Sequence, residues 1–203
     1  MNHTTHNAAS AHATPFLFSY MLGMMAVLAS ILTAAMTLQY AYGELPCPLC
    51  LLQRAAMLGV CFGIMLQLRH GFTYTYVGIS LAFAVLLLVI AVRQTLLDIY
   101  PRPGHAYIGS AVFGMHMPVW SVLIALCLIT AIAVELIVWG RYRPASKHTI
   151  NPLAHYPLLR RVATVLGGYV LLIGVINAVS VGVQCEFNQC HTFSYQLLDH
   201  FKR

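Results

Sequence analysis

Residues 76–97 read YVGISLAFAVLLLVIAVRQTLL, a stretch in which Arg93 is the only charged residue. A helix needs about 20 predominantly apolar residues to cross the hydrocarbon core of a bilayer. This segment therefore has the length and the composition of a transmembrane helix. Other segments of the chain have the same length and apolar composition, so this segment indicates an all-α membrane protein.

The whole chain repeats the pattern of this segment. Of its 203 residues, 60% are hydrophobic and 8% are charged, whereas a soluble domain has about 25% charged residues. Four further segments are long and apolar enough to span a bilayer: residues 16–40, 51–68, 119–138 and 162–183. We predict an all-α membrane protein, with a four-helix transmembrane bundle over residues 16–140 and a fifth C-terminal transmembrane helix at 162–183.

The basic residues indicate orientation rather than nucleic-acid binding. Lysines and arginines outnumber acidic residues by 11 to 5, but they are not clustered with aromatic residues on a polar domain. Five of the eleven lie in the loop 141–161, and Arg69 lies between the second and third segments. Because cytoplasmic loops are enriched in lysine and arginine, we expect this loop and the N-terminal tail, residues 1–15, to be cytoplasmic. The C-terminal tail, residues 184–203, is then periplasmic, and we expect the N-terminal tail to lack regular structure.

The cysteines divide according to this topology. Cys47 and Cys50 fall in the first outer segment, and Cys185 and Cys190 fall in the outer tail. Cysteine pairs on the oxidising side of a membrane are expected to form disulfides. The other two cysteines, Cys61 and Cys127, lie inside apolar segments, where we expect them to serve in packing.

The first pair lies where an outer loop becomes a helix. Pro48 suits the first position of a helix, because its missing N–H is not needed there. Cys47 would then cap the helix, and the positive end of the helix dipole would favour its thiolate. The same spacing also occurs in zinc sites and in static disulfides. The pair alone therefore leaves redox, metal-binding and structural roles open.

Two polar residues near this pair are candidates for a role in its chemistry. Arg54 lies one helical turn after Cys50 in an otherwise uncharged segment. It could reach lipid phosphates, or it could stabilise negative charge on a thiolate or on the oxygen of a reduced quinone. Gln94 lies at the outer end of the third segment. It could donate to a quinone carbonyl, or it could meet water and lipid headgroups.

Three runs of sequence resemble one known family. Residues 45–54, LPCPLCLLQR, at the start of the second helix, resemble the DsbB family of disulfide-forming quinone reductases. The resemblance continues in residues 94–101, QTLLDIYP, and in residues 114–121, GMHMPVWS. It covers about residues 16–140.

The resemblance implies a fold, a reaction and a location. Members of the family are four-helix bundles of the bacterial inner membrane that reoxidise a periplasmic DsbA-like thiol oxidase and reduce ubiquinone or menaquinone. By matched position, Cys47 and Cys50 would be the redox pair beside the quinone. Arg54 would contact the quinone. We expect no bound metal.

The chain departs from the family in its second cysteine pair. That pair normally lies between the third and fourth helices, but residues 98–118 contain no cysteine here. We hypothesise that Cys185 and Cys190 have taken over the relay between the soluble partner and the first pair. No family motif supports this assignment.

Two alternative functions remain at this stage. One is a quinone-linked thiol oxidoreductase of another kind, either similar to vitamin K epoxide reductase or dedicated to one client protein. The other is a metal-handling membrane protein that uses Cys185, Cys190 and His191. Glu135, near the cytoplasmic end of the fourth segment, is expected to lie at the membrane interface rather than on a proton path.

Overall fold

Five helices make up the computed structural model, which describes residues 3–43, 46–99, 114–140 and 156–185. The helices are α1 (His3–Ala41), α2 (Pro48–His70), α3 (Tyr74–Ile99), α4 (Met117–Trp139) and α5 (Pro157–Cys185). All five are long and apolar enough to cross a membrane. The predicted fold class is confirmed: the chain is an all-α, multi-pass membrane protein.

The helices alternate in direction, so that the bundle has two distinct ends. One end, here called the cysteine end, is where α1, α3 and α5 finish and where α2 and α4 begin. The opposite end is called the far end. α3 packs between α2 and α4, and α1 contacts both α2 and α4, which closes a four-helix bundle.

α5 packs outside this bundle against α1 and α2. The hydroxyls of Tyr169 on α5 and Thr33 on α1 are hydrogen-bonded at 2.7 Å. Gly174 faces the Leu58 side chain of α2. The opposite side of α5 is exposed and apolar, as at Val165 and Val175. Such a face suits contact with lipid.

All five helices extend beyond the predicted boundaries, and α1 and α5 extend the furthest. α1 begins at His3, so residues 3–15 are helical where the sequence predicted a tail without regular structure. Several alanines precede Pro15, and alanine has the highest helix propensity. α5 begins at Pro157, which makes the end of the predicted 141–161 loop part of the helix. Residues 141–155 lie outside the described residues.

α2 and α3 approach closely around Gly63. A β-carbon at this glycine would lie 2.8 Å from the backbone nitrogen of Ser80. The Ser80 hydroxyl donates to the Val60 carbonyl at 3.3 Å. A small residue at this position therefore sets the separation of the two helices, as is common between membrane helices.

Two expectations about residues inside the helices are wrong. Glu135 is fully buried among the helices instead of lying at the membrane interface. Cys61 is buried in the core as expected, but Cys127 is exposed on the outer surface of α4. In a membrane protein both the core and the lipid-facing surface are apolar, so hydrophobicity alone does not distinguish them.

Candidate functional site

A disulfide joins Cys47 and Cys50 at the start of α2, with the two Cα atoms 5.0 Å apart. Cys47 is the N-cap residue, and its backbone is extended, with φ −68° and ψ 156°. Its Sγ accepts a hydrogen bond from the backbone N–H of Cys50 at 3.0 Å. Pro48 occupies the first turn, so the predicted helix start is confirmed. In this bonded state neither sulfur is a thiolate ligand for a metal.

Gln94 lies directly against the disulfide. Its Nε2 donates to the Sγ of Cys47 at 3.3 Å and to the Sγ of Cys50 at 3.4 Å. The side chain is 8% exposed, so it does not extend to the headgroups. Because this donor faces both sulfurs, it can stabilise a thiolate on either of them after the disulfide is reduced.

Two further side chains hold the Gln94 amide in this orientation. Gln53 on α2 donates its Nε2 to Oε1 of Gln94 at 2.8 Å. Ser121 on α4 donates its hydroxyl to Oε1 of Gln53 at 2.9 Å. Both side chains are buried. We call the side chains of Gln94, Gln53 and Ser121 the amide chain, and it links the disulfide across three helices.

Arg54 is turned toward α1 and is 9% exposed. Its guanidinium donates to Oε1 of Gln39 at 2.5 Å and to the carbonyl of Ala35 at 3.0 Å. It also contacts Sδ of Met36 at 3.7 Å. These acceptors hold the guanidinium in this orientation. The side chain is therefore held within the protein and does not extend to lipid phosphates.

The end of α5 lies beside the cysteine pair. Nε2 of Gln184 donates to the carbonyl of Pro46 at 2.9 Å, and the Gln184 side chain is fully buried. Pro46 immediately precedes Cys47 in the chain. One turn earlier on α5, the hydroxyls of Ser180 and Tyr40 of α1 are hydrogen-bonded. Cys185, the last residue of α5, therefore follows a residue that is bonded to the cysteine loop.

An apolar groove of about 1010 Å³ runs between α1, α4 and α5. Small residues of α1, among them Ala26 and Ala34, form part of its lining. Met117 and Trp120 line it at the start of α4, next to Ser121 of the amide chain. Arg54 and Gln94 do not line it. The groove has the apolar walls that an isoprenoid or acyl chain requires.

The structure brings together some of the sequence-predicted residues. Cys47, Cys50 and Gln94 are in contact, and Arg54 lies one turn below them. Cys190 lies outside the described residues, so its position relative to the first pair stays a prediction.

The sequence analysis missed the roles of Gln53, Ser121 and Gln39. All three are buried polar residues of apolar helices. Polar residues within membrane-spanning segments are usually functional, and that signal could have marked them.

Comparison with known proteins identifies the region that contains this site. Residues 18–106 match the family model described as disulfide bond formation protein DsbB. A protein named disulfide bond formation protein B from Aromatoleum aromaticum is 35% identical over 95 residues, covering 45% of this chain and 55% of its own length. A protein of the same name from Chromohalobacter salexigens is 32% identical over 110 residues, covering 51% of this chain and 63% of its own.

These matches are partial. The chain spans 55% to 63% of the length of these two relatives, and the family match ends before α4 and α5. No solved structure matches the chain significantly. The matched region nevertheless contains the cysteine pair, Arg54 and Gln94, so this chain is similar to the DsbB family over its candidate site.

Proposed function

We propose that this protein is a protein-disulfide:quinone oxidoreductase of the bacterial inner membrane. In this proposal Cys47 and Cys50 oxidise thiols delivered by a periplasmic DsbA-like protein and pass the electrons to ubiquinone or menaquinone. The observation that carries the proposal is the position of the disulfide. It caps a membrane helix, accepts hydrogen bonds from Gln94 and lies one turn above the buried cation of Arg54.

The first argument concerns the reduced state of the pair. Cys47 lies at the positive end of the α2 dipole, where a thiolate is favoured. Its Sγ already accepts from the Cys50 N–H and from Gln94. Donors that stabilise the thiolate also stabilise the reduced pair, which makes a disulfide a stronger oxidant. These contacts suit a pair that must accept electrons from another protein.

The second argument concerns the acceptor of the electrons. Ionisable residues within membrane-spanning segments are usually functional, and the guanidinium of Arg54 is only 9% exposed within α2. We propose that it stabilises negative charge that develops on a thiolate or on a quinone oxygen. The Gln94 amide is a second candidate donor to a quinone carbonyl. The apolar groove, which is lined by Trp120 next to Ser121 in the chain, suits the tail of a lipid-soluble quinone.

The third argument concerns how electrons reach the pair. We propose that Cys185 and Cys190 form a disulfide that a thiolate of the soluble partner attacks through a mixed disulfide. The partner leaves oxidised, and a tail thiolate then attacks the Cys47–Cys50 disulfide. The resulting two thiols give up two electrons and two protons as quinone becomes quinol. The hydrogen bond between Gln184 and Pro46 supports this relay, because it holds the end of α5 beside the first pair.

Orientation completes the proposal. The relay needs the cysteine end to face the periplasm, and the lysine and arginine distribution favours this arrangement. The N-terminus would then be cytoplasmic and the C-terminus periplasmic.

The proposal is tested with purified protein in lipid nanodiscs supplied with a short-chain quinone and a reduced DsbA-like protein. We expect quinone absorbance to fall as the partner becomes oxidised, and C47S or C50S to abolish both changes. The matched control is C127A, because Cys127 lies on the outer surface of α4, and its activity should equal that of the wild type. A wild-type protein that leaves the quinone unreduced would contradict the proposal.

A second arm tests the relay separately. In the variant C185A/C190A, oxidation of the protein partner should be lost, whereas quinone reduction driven by dithiothreitol should persist. If the partner were still oxidised at the wild-type rate, the relay assignment would be wrong while the quinone chemistry would stand. In cells, a Cys47–Cys50 pair that stays reduced despite an intact quinone pool would argue against the oxidase function itself.

A further inference from the structure

Polar side chains recur on α2 and α4 at a matched spacing. Gln53 and Ser121 are hydrogen-bonded to each other near the cysteine end. Gln67 lies two heptads after Gln53, and Glu135 lies two heptads after Ser121. Because α2 and α4 run in the same direction, equal steps along both helices bring these residues to the same level. Gln67 and Glu135 therefore lie level with each other in the far half of the bundle.

Both side chains face the interior of the bundle. Gln67 continues the α2 stripe of Val60 and Ile64, and Glu135 follows Ile132 on α4, all of them 0% exposed, as are Gln67 and Glu135 themselves. Among the described residues, neither the Gln67 amide nor the Glu135 carboxyl has a hydrogen-bond partner. Four polar atoms are thus buried and unpaired at one level of the protein.

Tyr20 of α1 forms a third side of this region. Its hydroxyl donates to the Ala131 carbonyl at 2.9 Å, one turn before Glu135. Its ring lies 5.6 Å from the ring of Trp139, one turn after Glu135. The Tyr20 side chain therefore lies beside the Glu135 carboxyl along the helix axis. Trp139, which also packs on Phe16, lies between this carboxyl and the far end of the bundle.

The unpaired atoms have a chemical requirement. An isolated carboxylate is strongly disfavoured in an apolar interior, and a carboxyl group in such a place takes up a proton instead. An amide and a carboxylic acid without partners still cost several kcal/mol in a membrane. A water molecule with two to four polar partners removes that cost. Gln67, Glu135 and the Tyr20 hydroxyl together offer enough partners.

We propose that Gln67, Glu135 and Tyr20 form an internal binding site for water, in which Glu135 is a neutral carboxylic acid. The site is separate from the disulfide chemistry. Fully buried apolar side chains, including Val60, Ile64 and Ala125, lie between it and the amide chain. The proposal does not rest on the proposed function, and it assigns the far half of the bundle a protonated group that the thiol–quinone reaction does not require.

Infrared spectroscopy of the purified protein in nanodiscs tests the protonated acid. The sequence contains three glutamates, Glu44, Glu135 and Glu186, so labelling glutamate with ¹³C at the carboxyl identifies their bands. At neutral pH we expect the C=O band of a protonated acid, a shift of that band in D₂O, and its loss in E135Q. The matched control is E44Q, which should retain the band. A wild-type spectrum without the band, or a band that persists in E135Q, would overturn the proposal.

A second variant tests whether Gln67 belongs to the same site, and it does not require E135Q to fold. Q67L removes the amide but keeps the carboxyl. We expect the Glu135 band to move to higher frequency, because the acid loses water that the amide helped to bind. An unchanged band in Q67L would refute the shared site. Dithiothreitol-driven quinone reduction, measured in parallel, reports on the disulfide chemistry alone, so a failure of either proposal is recognised separately.

Discussion

Gln53 donates its side-chain amide to Oε1 of Gln94 at 2.8 Å. This bond leaves Nε2 of Gln94 to face the sulfurs of Cys47 and Cys50. The orientation matters because an amide turned the other way would present an acceptor to a thiolate. We therefore expect the strength of the disulfide as an oxidant to depend also on Gln53, a residue that does not touch it.

The first prediction concerns the Gln94 donor. Q94L removes an N–H that would stabilise the thiolate of the reduced pair. A hydrogen bond to a charged group contributes about 1.5–3 kcal/mol, so we expect the equilibrium with a dithiol buffer to shift roughly tenfold or more toward the disulfide. The measurement is the ratio of oxidised to reduced protein after trapping with a thiol reagent.

Thr95 provides the control for this variant. Its hydroxyl bonds the Ala91 carbonyl within α3, and T95V should leave the equilibrium unchanged. An equal shift in T95V would mean that the effect comes from α3 as a whole rather than from the Gln94 donor.

The second prediction concerns Arg54. R54M keeps most of the length of the side chain but removes its charge, and we expect quinone turnover to fall by about 10²-fold, the scale seen when one preorganised donor is lost. R54K should recover only part of the activity, because an ammonium lacks the planar fork that reaches both Gln39 and the Ala35 carbonyl.

Mixed-disulfide formation with the soluble partner shows whether R54M is still folded. A loss of quinone turnover in a folded variant can then be attributed to the missing charge. The reaction takes place outside the membrane, and it should continue in R54M if the helices remain packed. The assigned role of Arg54 would be wrong if R54M reduced quinone at the wild-type rate.

The third prediction concerns the contact between α2 and α3. G63A adds a β-carbon that meets the backbone of Ser80, and overpacking of this kind costs about 1–3 kcal/mol. G78A adds the same atom where nothing lies within 4 Å, and it gains the helix propensity of alanine. Thermal unfolding in detergent should therefore show a lower midpoint for G63A and an unchanged or higher one for G78A. Equal midpoints would show that the close approach does not limit stability.

The sequence predicted features that depend on local composition. Apolar length identified five membrane helices, and Cys47 followed by Pro48 identified the start of α2, because capping preferences are set by neighbouring residues. The contacts of Gln94 with Gln53 depend on how two helices are rotated relative to each other. Those rotations could not be read from hydrophobic periodicity, because the lipid-facing side of each helix is as apolar as its core.

Glu135 shows the same limit at the far end of the bundle. Its position near the end of α4 suggested the membrane interface, and only the packing of α1 and α3 against α4 shows that it faces inward. The sequence spacing gave a sign that Glu135 faces inward. Gln67 lies two heptads after Gln53 on α2, and Glu135 lies two heptads after Ser121 on α4. That coincidence becomes informative only when the two helices are known to run in the same direction within one bundle.

The last prediction concerns the attachment of α5. Gln184 bonds the Pro46 carbonyl, and Q184L removes this bond from the end of the helix that leads into Cys185. A tethered thiol reacts at an effective concentration set by how its tether is held. We expect oxidation of the protein partner to slow several-fold in Q184L, whereas quinone reduction driven by dithiothreitol should be unchanged, because that reductant reaches Cys47 and Cys50 without the tail. V179A, on the exposed side of α5, should match the wild type in both assays. If Q184L slowed both reactions equally, Gln184 would serve the stability of the first pair and not the relay.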